Sequence, residues 1–180
     1  MRGKTMAIML LLIAAAALVG GNKFAGVKED LARQRETIAA QWSSVEAALE
    51  RRADVIPHLI EPVKKGIDDG VLRELSATRA KLASAREPEE KIRANRELSV
   101  ALGKLMSQCE TDGRVRQSGA FRLLQEELAV REDEIANERF QYNNALEHYN
   151  ARMQRFPDNV VASLAGFTRN DAYFGTGPAQ

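Results

Sequence analysis

Cysteine appears once and histidine twice in 180 residues. One thiol closes no intramolecular disulfide, and these ligands alone fall short of a four-ligand zinc site. Neither sign of charge dominates: 26 Lys and Arg stand against 25 Asp and Glu, a formal net charge of +1. A general nucleic-acid binder carries a clustered basic surplus, so nucleic acid is not an expected partner. Aromatic residues make up only 6%, and sustained alternation of apolar and polar residues is missing, which removes the main signals for a sheet. There is no glycine-rich phosphate loop, no Gly-x-Ser-x-Gly elbow and no His-Glu-x-x-His. The chain thus offers no recognised nucleophile, phosphate cradle or zinc-protease helix, and neither an enzyme nor a cofactor is expected.

What is present begins at the N-terminus. From Thr5 to Asn22 no residue is charged, and Arg2 and Lys4 precede this run. Its length lies at the short end of a membrane span, which needs about 17–25 apolar residues. A cleaved signal peptide is the competing reading, with Arg2 and Lys4 as its basic region and Ala14 to Ala17 as small residues for cleavage. No strong turn follows the run, however, and the next segment reads as helix. An uncleaved anchor continuing into a stalk is therefore preferred, with residues 5–22 in the lipid bilayer. No Cys follows, which excludes a bacterial lipid anchor on that residue. Lys23, Lys28, Arg33 and Arg35 beyond the run leave the orientation weakly determined.

Beyond the anchor the pattern is helical almost throughout. Ile38, Trp42, Val45 and Leu49 form one apolar stripe and predict a first long helix over about residues 24–52. Asp54 reads as the cap of a second helix with Pro57 in its first turn, giving a bend near Ala53. That helix is expected to run to about Arg86, kinked at Pro62, with Gly70 a second soft point. Glu87-Pro88 ends it and starts a third, which carries Ile92, Leu98, Leu102, Leu105 and Met106 to about Cys109. Thr111 to Ser118 reads as a loop, with Ser118 a cap. The seven-residue series Phe121, Leu128, Ile135, Tyr142, Tyr149 and Phe156 predicts a fourth long helix ending at Phe156-Pro157. Asp158 then caps a short last turn. The expected fold is all-α: an N-terminal transmembrane helix followed by an elongated antiparallel bundle of about four helices. The expected division is residues 1–22 as anchor, 23–168 as bundle and 169–180 as a loose C-terminal tail.

These residues support a family resemblance. Trp42-Ser-Ser-Val45-Glu46, Leu49, Arg51-Arg52, Asp54, Ile56-Pro57-His58-Leu59-Ile60 and Val63-Lys64-Lys65-Gly66 resemble the first signature of the LemA family of bacterial membrane proteins. Phe121, Leu124-Gln125-Glu126-Glu127-Leu128, Glu132, Ile135, Arg139, Tyr142-Asn143, Tyr149-Asn150, Phe156-Pro157, Gly166-Phe167 and Tyr173-Phe174 resemble its C-terminal signature. The chain departs from the pattern at Lys28-Glu29, where family members often carry Tyr-Asn, and at Thr111-Asp112, where an aromatic-Pro pair is common. The resemblance implies one N-terminal membrane segment, a helical bundle and no accepted enzymatic activity. It also implies, by analogy only, an accessory role to a neighbouring membrane protein such as a membrane metalloprotease.

Five polar residues within these motifs are the candidates for contact: Arg51, Arg52, Asp54, Asn143 and Asn150. The two Asn stand seven apart, each directly after a Tyr, just off the apolar stripe. Their plainer reading is hydrogen bonding between helices that fixes register. The functional alternative joins them with Arg51, Arg52 and Asp54 into a partner-binding patch. Arg51 and Asp54, three apart, also suit a surface ion pair. His58 and His148 lack metal-ligand spacing, and Cys109 on an apolar face reads as a buried structural thiol. The expected function is a membrane-tethered scaffold or adaptor that binds another membrane or envelope protein, in the cell membrane with its bundle extracytoplasmic. Two alternatives stand beside it: a ligand-binding domain released to the periplasm or medium after signal cleavage, and a self-assembling membrane-remodelling protein. Homo-oligomers are compatible with the heptad spacing.

Overall fold

The computed structural model describes the backbone of residues 2–175 and the side chains of residues 21–175. Among the described residues six α-helices follow one another: α1 (Arg2–Ile60), α2 (Asp69–Ser84), α3 (Pro88–Thr111), α4 (Gly113–Arg116), α5 (Gly119–Arg152) and α6 (Asp158–Ala165). A 3₁₀ turn, Lys64–Gly66, lies between α1 and α2. No strand occurs among the described residues. The anchor expected at 5–22 falls, except for Gly21 and Asn22, on side chains outside the described residues. Among the described residues no helix is long and apolar enough to cross a membrane.

The expected boundary between a first helix ending near residue 52 and a second capped by Asp54 is absent, and α1 runs on through Pro57 to Ile60. Pro57 has no N–H, so the carbonyl of Ala53 loses its helical donor. Arg79 of α2 supplies the replacement, its Nε donating to that carbonyl at 2.7 Å. A long-range side chain thus repairs the ladder that the local sequence breaks. The chain leaves helical geometry before Pro62 instead, where Pro disfavours α geometry in the preceding Glu61. The kinked second helix expected from Asp54 to Arg86 is therefore two helices separated by a turn. Gly66 in that turn is required by close approach, since a Cβ there would meet Val115 Cγ2 at 2.7 Å and Asp112 Oδ2 at 3.1 Å. Asp68 caps α2 by accepting from the N–H groups of Gly70 and Val71 at 2.7 and 3.4 Å, which satisfies donors left free in the first turn.

Pro88 starts α3 with Glu89 and Glu90 in its first turn, as the sequence predicts. Within the expected loop, Asp112 caps the four-residue α4. Ser118 caps α5, its Oγ accepting from Phe121 N–H at 3.1 Å. Two lysine–glutamate pairs join α2 to α3: Lys81 with Glu97 at 2.6 Å and Lys104 with Glu74 at 2.7 Å. The later residue on α2 meets the earlier one on α3, so the pair is antiparallel.

The described chain divides into two compact units. One gathers the chain up to Ala39 with Ala145–Asp171; the other gathers Ala40–Asn144 with the segment from Ala172. The core of the first includes Leu31 and Ile38 from α1, Leu146 and Tyr149 from α5, and Val161 and Ala162 from α6. The second is a helical bundle whose core includes Val45, Leu49, Ile56, Leu75, Leu98, Leu105, Leu124 and Ile135. Each fully buried Leu or Ile contributes roughly 1.5–3 kcal/mol relative to exposure. Trp42, the single tryptophan, packs on Tyr142 with ring centroids 5.1 Å apart and planes tilted by 57°.

The heptad series on α5 is buried from Phe121 through Tyr149 but not at its last member: Phe156 is 83% exposed. The reason is that α5 ends at Arg152, so Phe156 lies in the turn beyond it, where helical periodicity no longer sets its direction. A second correction concerns the tail. The stretch 169–174, expected to be loose, is bonded through its backbone to α5 side chains, and Phe174 is buried.

Candidate functional site

Arg52 sits on the inner face of α1, and its side chain is 0% exposed. Its Nη1 donates to Ser99 Oγ at 3.1 Å and pairs with Glu132. Its Nη2 donates to the side-chain oxygen of Asn95 and, at 3.5 Å, to the Asn95 carbonyl. Nε, also buried, has no hydrogen-bond partner among the described residues. One guanidinium therefore ties α1 to α3 and α5. Desolvating a cation is costly, and the fork of donors offsets this through one carboxylate and three neutral acceptor oxygens. Such a node fixes which faces of three helices meet, and it leaves the arginine unavailable to an outside partner.

Arg51 points elsewhere. It pairs with Glu134 at 2.5 Å, not with Asp54, and Glu134 also accepts from Arg131 at 3.1 Å. The Arg51 guanidinium is the main reason the Glu134 carboxyl titrates below the usual glutamate range, with Arg131 adding to it. Asp54 is exposed and lines a cleft between α1, α2 and α3 of about 230 Å³. Glu50 and Glu46 stand one and two turns before it on the same cleft, opposite Arg79 and Lys91. Lys91 Nζ lies 2.9 Å from Glu46 and 3.8 Å from Glu50, and Arg79 is held by the Ala53 carbonyl. The cleft is smaller than the roughly 300–1,000 Å³ of ordinary ligand pockets.

The two Tyr-Asn dipeptides perform one operation twice. In the second unit, Asn143 Nδ2 donates to the Phe174 carbonyl at 3.0 Å while Phe174 N–H donates to Asn143 Oδ1 at 2.9 Å. The preceding Tyr142 hydroxyl donates to the Ala172 carbonyl at 3.0 Å. In the first unit, Asn150 Nδ2 donates to the Asn170 carbonyl at 2.7 Å, and Asn170 N–H donates back to Asn150 Oδ1 at 3.0 Å. The Tyr149 hydroxyl donates to the Thr168 carbonyl at 2.9 Å. A side-chain amide carries one acceptor and two donors, so it pairs with both backbone groups of one residue as a neighbouring strand would. The contacts join helix to non-helical backbone, where helix-to-helix bonds are expected from sequence. Burial pushes the Tyr142 phenol up to about 12, with the Glu89 charge adding to it. Burial also raises Tyr149, against an opposing pull from Arg35.

The five candidate residues therefore do not make one exposed polar patch. Arg52 is enclosed, Asn143 and Asn150 are bonded to backbone, and only Arg51 and Asp54 are exposed. Cys109 is buried, and its thiol is raised chiefly by that burial. Among the described residues no group of three His, Cys, Asp or Glu is placed to hold a metal ion. Reasoning from sequence missed Asn95, Ser99 and Glu132 as partners of Arg52. It missed Arg79 as well, although a proline inside a helix signals a carbonyl that needs a new donor.

The sequence profile of the LemA family matches residues 41–180. The chain belongs to the LemA family. The matched stretch takes in the Arg52 node, the cleft and both Tyr-Asn clamps. Two magnetosome proteins of Paramagnetospirillum magneticum, MamQ 1 and MamQ 2, are similar to this LemA-family chain. Each is 34% identical over 79 residues, covering 44% of this chain and 29% of the relative. The chain thus spans less than a third of the length of these curated relatives.

Proposed function

We propose that this LemA-family protein is a membrane-tethered helical scaffold or adaptor that binds another membrane or envelope protein and has no catalysis of its own. The observation that carries the reading is the continuity of α1. Its first third contains the uncharged run 5–22, and the same helix goes on to supply core residues to both compact units. An anchor joined to the packed helices by unbroken helix presents those helices at a fixed distance from the bilayer. The internal use of Arg52, Asn143 and Asn150 supports structural roles for them, leaving exposed positions such as Arg51 and Asp54 to meet a partner. The extracytoplasmic placement belongs to the same proposal, resting on Arg2 and Lys4 before the run. A magnetosome role is not transferred, because the aligned stretch covers so little of each relative.

Photoreactive residues placed at Arg51, Glu61 and His148 in cells at native expression test the partner. Repeated crosslinks to one membrane or envelope protein are expected. Crosslinks only to a second copy move the reading to self-assembly, and a chain that lacks Met1 and stays soluble after carbonate washing overturns the tether.

A further inference from the structure

Helix α6 is apolar on both sides. Its inner face carries Val161 and Ala162, both in the core of the first unit. Phe156 in the preceding turn, Val160 and Leu164 follow one another four residues apart, and they are 83%, 46% and 73% exposed. A surface helix ordinarily places polar residues on its outer side. This stripe does the reverse.

Its place in the first unit narrows what covers it. Arg152 at the end of α5 donates through Nε to Asp158, the first residue of α6, at 2.7 Å and approaches Asp30 of α1 at 3.4 Å. At the other end of α6, Arg35 of α1 lies over the Phe167 ring, 5.9 Å from its centroid. The helix is therefore held against α1 from about Asp30 to Arg35, and its start lies at the Asp30 end. The uncharged run ends at Asn22, eight residues earlier, which is about 12 Å along an upright helix and less along the bilayer normal when the helix tilts. The polar zone of a bilayer begins where such a run ends, and exposed apolar side chains at that level reach about 5–10 Å into the headgroup boundary. Lys23 and Lys28 on α1 and Arg155 beside Phe156 are exposed cations at this level, suited to anionic headgroups.

We propose that the Phe156-Val160-Leu164 face of α6 rests on the surface of the anionic bilayer that α1 enters, as a second contact beside the anchor. This placement rests on the anchor reading above. Phe156, at the end nearest the run, enters deepest, with Val160 and Leu164 shallower.

The test uses the full chain with Cys109→Ala in nanodiscs of phosphatidylcholine and phosphatidylglycerol. A nitrobenzoxadiazole label is placed at Phe156→Cys or Leu164→Cys, at Leu123→Cys as an exposed apolar reference in the other unit, and at Leu12→Cys in the run. Circular dichroism checks that each variant is folded, and the Leu164 label carries the test if the Phe156 variant is not. Lipids bearing a quencher near the headgroup are expected to quench residue 156 several-fold more than residue 123, with residue 164 between the two. Deep quenchers are expected to reach only residue 12. Quenching at residue 12 with none beyond the residue 123 level at 156 and 164 overturns the surface contact and leaves the anchor standing. No quenching at residue 12 overturns the anchor. Labels at 156 and 164 that are shielded from water, untouched by lipid quenchers and crosslinked to a second copy or another protein overturn the proposal in favour of a protein contact.

Discussion

Tyr142-Asn143 and Tyr149-Asn150 stand one heptad apart on α5 and make the same set of bonds, yet in different surroundings. In the first unit Asn150 is buried; in the second Asn143 is half-buried, and Tyr142 is the enclosed member, packed on Trp42. The bond pattern follows from the repeated dipeptide. The weight of each bond follows from how much water reaches it, because an unpaired polar group costs most where solvent cannot replace the lost partner. The second unit also contains the Arg52 node, and the first has no counterpart among the described residues: its buried polar side chain is Asn150.

The largest effect separating the two regions is expected from Arg52→Ala. Removing the guanidinium strands Asn95 and leaves Glu132 to water, a loss at the low end of what a broken buried pair costs, about 3 kcal/mol. Denaturant unfolding followed by Trp42 fluorescence reads it in the second unit, and exchange at the Asn170 amide is expected to change less. Asn150→Ala removes the paired bonds to the Asn170 backbone from a buried side chain and is expected to cost about 2 kcal/mol, whereas Asn143→Ala is expected to cost about 1 kcal/mol because water reaches its half-buried amide. Equal losses in the two variants would show that burial does not set the difference.

Alkaline titration sharpens the comparison further. The Tyr142 phenol is raised in the folded protein, so the folded state holds its proton more tightly than the unfolded chain. Its contribution is complete below pH 10 and is lost as pH rises from 10 toward about 12, through the linkage of proton binding to folding. Tyrosinate absorbance is expected to show this late phase, and Tyr142→Phe to abolish it, at a stability cost of about 1 kcal/mol for the lost bond to Ala172. The smallest effect is expected at Arg51→Ala. Its pair with Glu134 is partly exposed and is worth about 0–1 kcal/mol after solvent screening. Because the folded Glu134 carboxyl is lowered from 4.5, this contribution is present above that pH and is lost as pH falls through the folded value. The variant should flatten the acid limb of the stability profile slightly while leaving the alkaline limb unchanged.

Several of these features are legible in the amino-acid order. Helix type, the Pro88 start of α3, the cap at Ser118 and the buried heptad from Phe121 to Tyr149 all arise from local chemistry and period. The turn at 61–68 is not expected, only a helix start at Asp54 and a kink at Pro62, because Pro57 and Pro62 look alike in sequence. In the folded protein Arg79 reaches the carbonyl orphaned by the first. Phe156 continues the heptad in number but not in space, since a period holds only while the helix lasts. The five candidate polar residues carry no mark in sequence saying that one would be enclosed and two bonded to backbone.

By itself the sequence determined an all-helical chain of the LemA family, with stripes that must be buried and an uncharged N-terminal run, because period, propensity and capping act within a few residues. Only the tertiary structure decided that α1 passes Pro57 intact, that Arg52 ties three helices and that the Tyr-Asn pairs hold the C-terminal segment. Each of those depends on a donor and an acceptor tens of residues apart, and what brings them within 3 Å is the packing of the apolar faces, which no local stretch of sequence encodes.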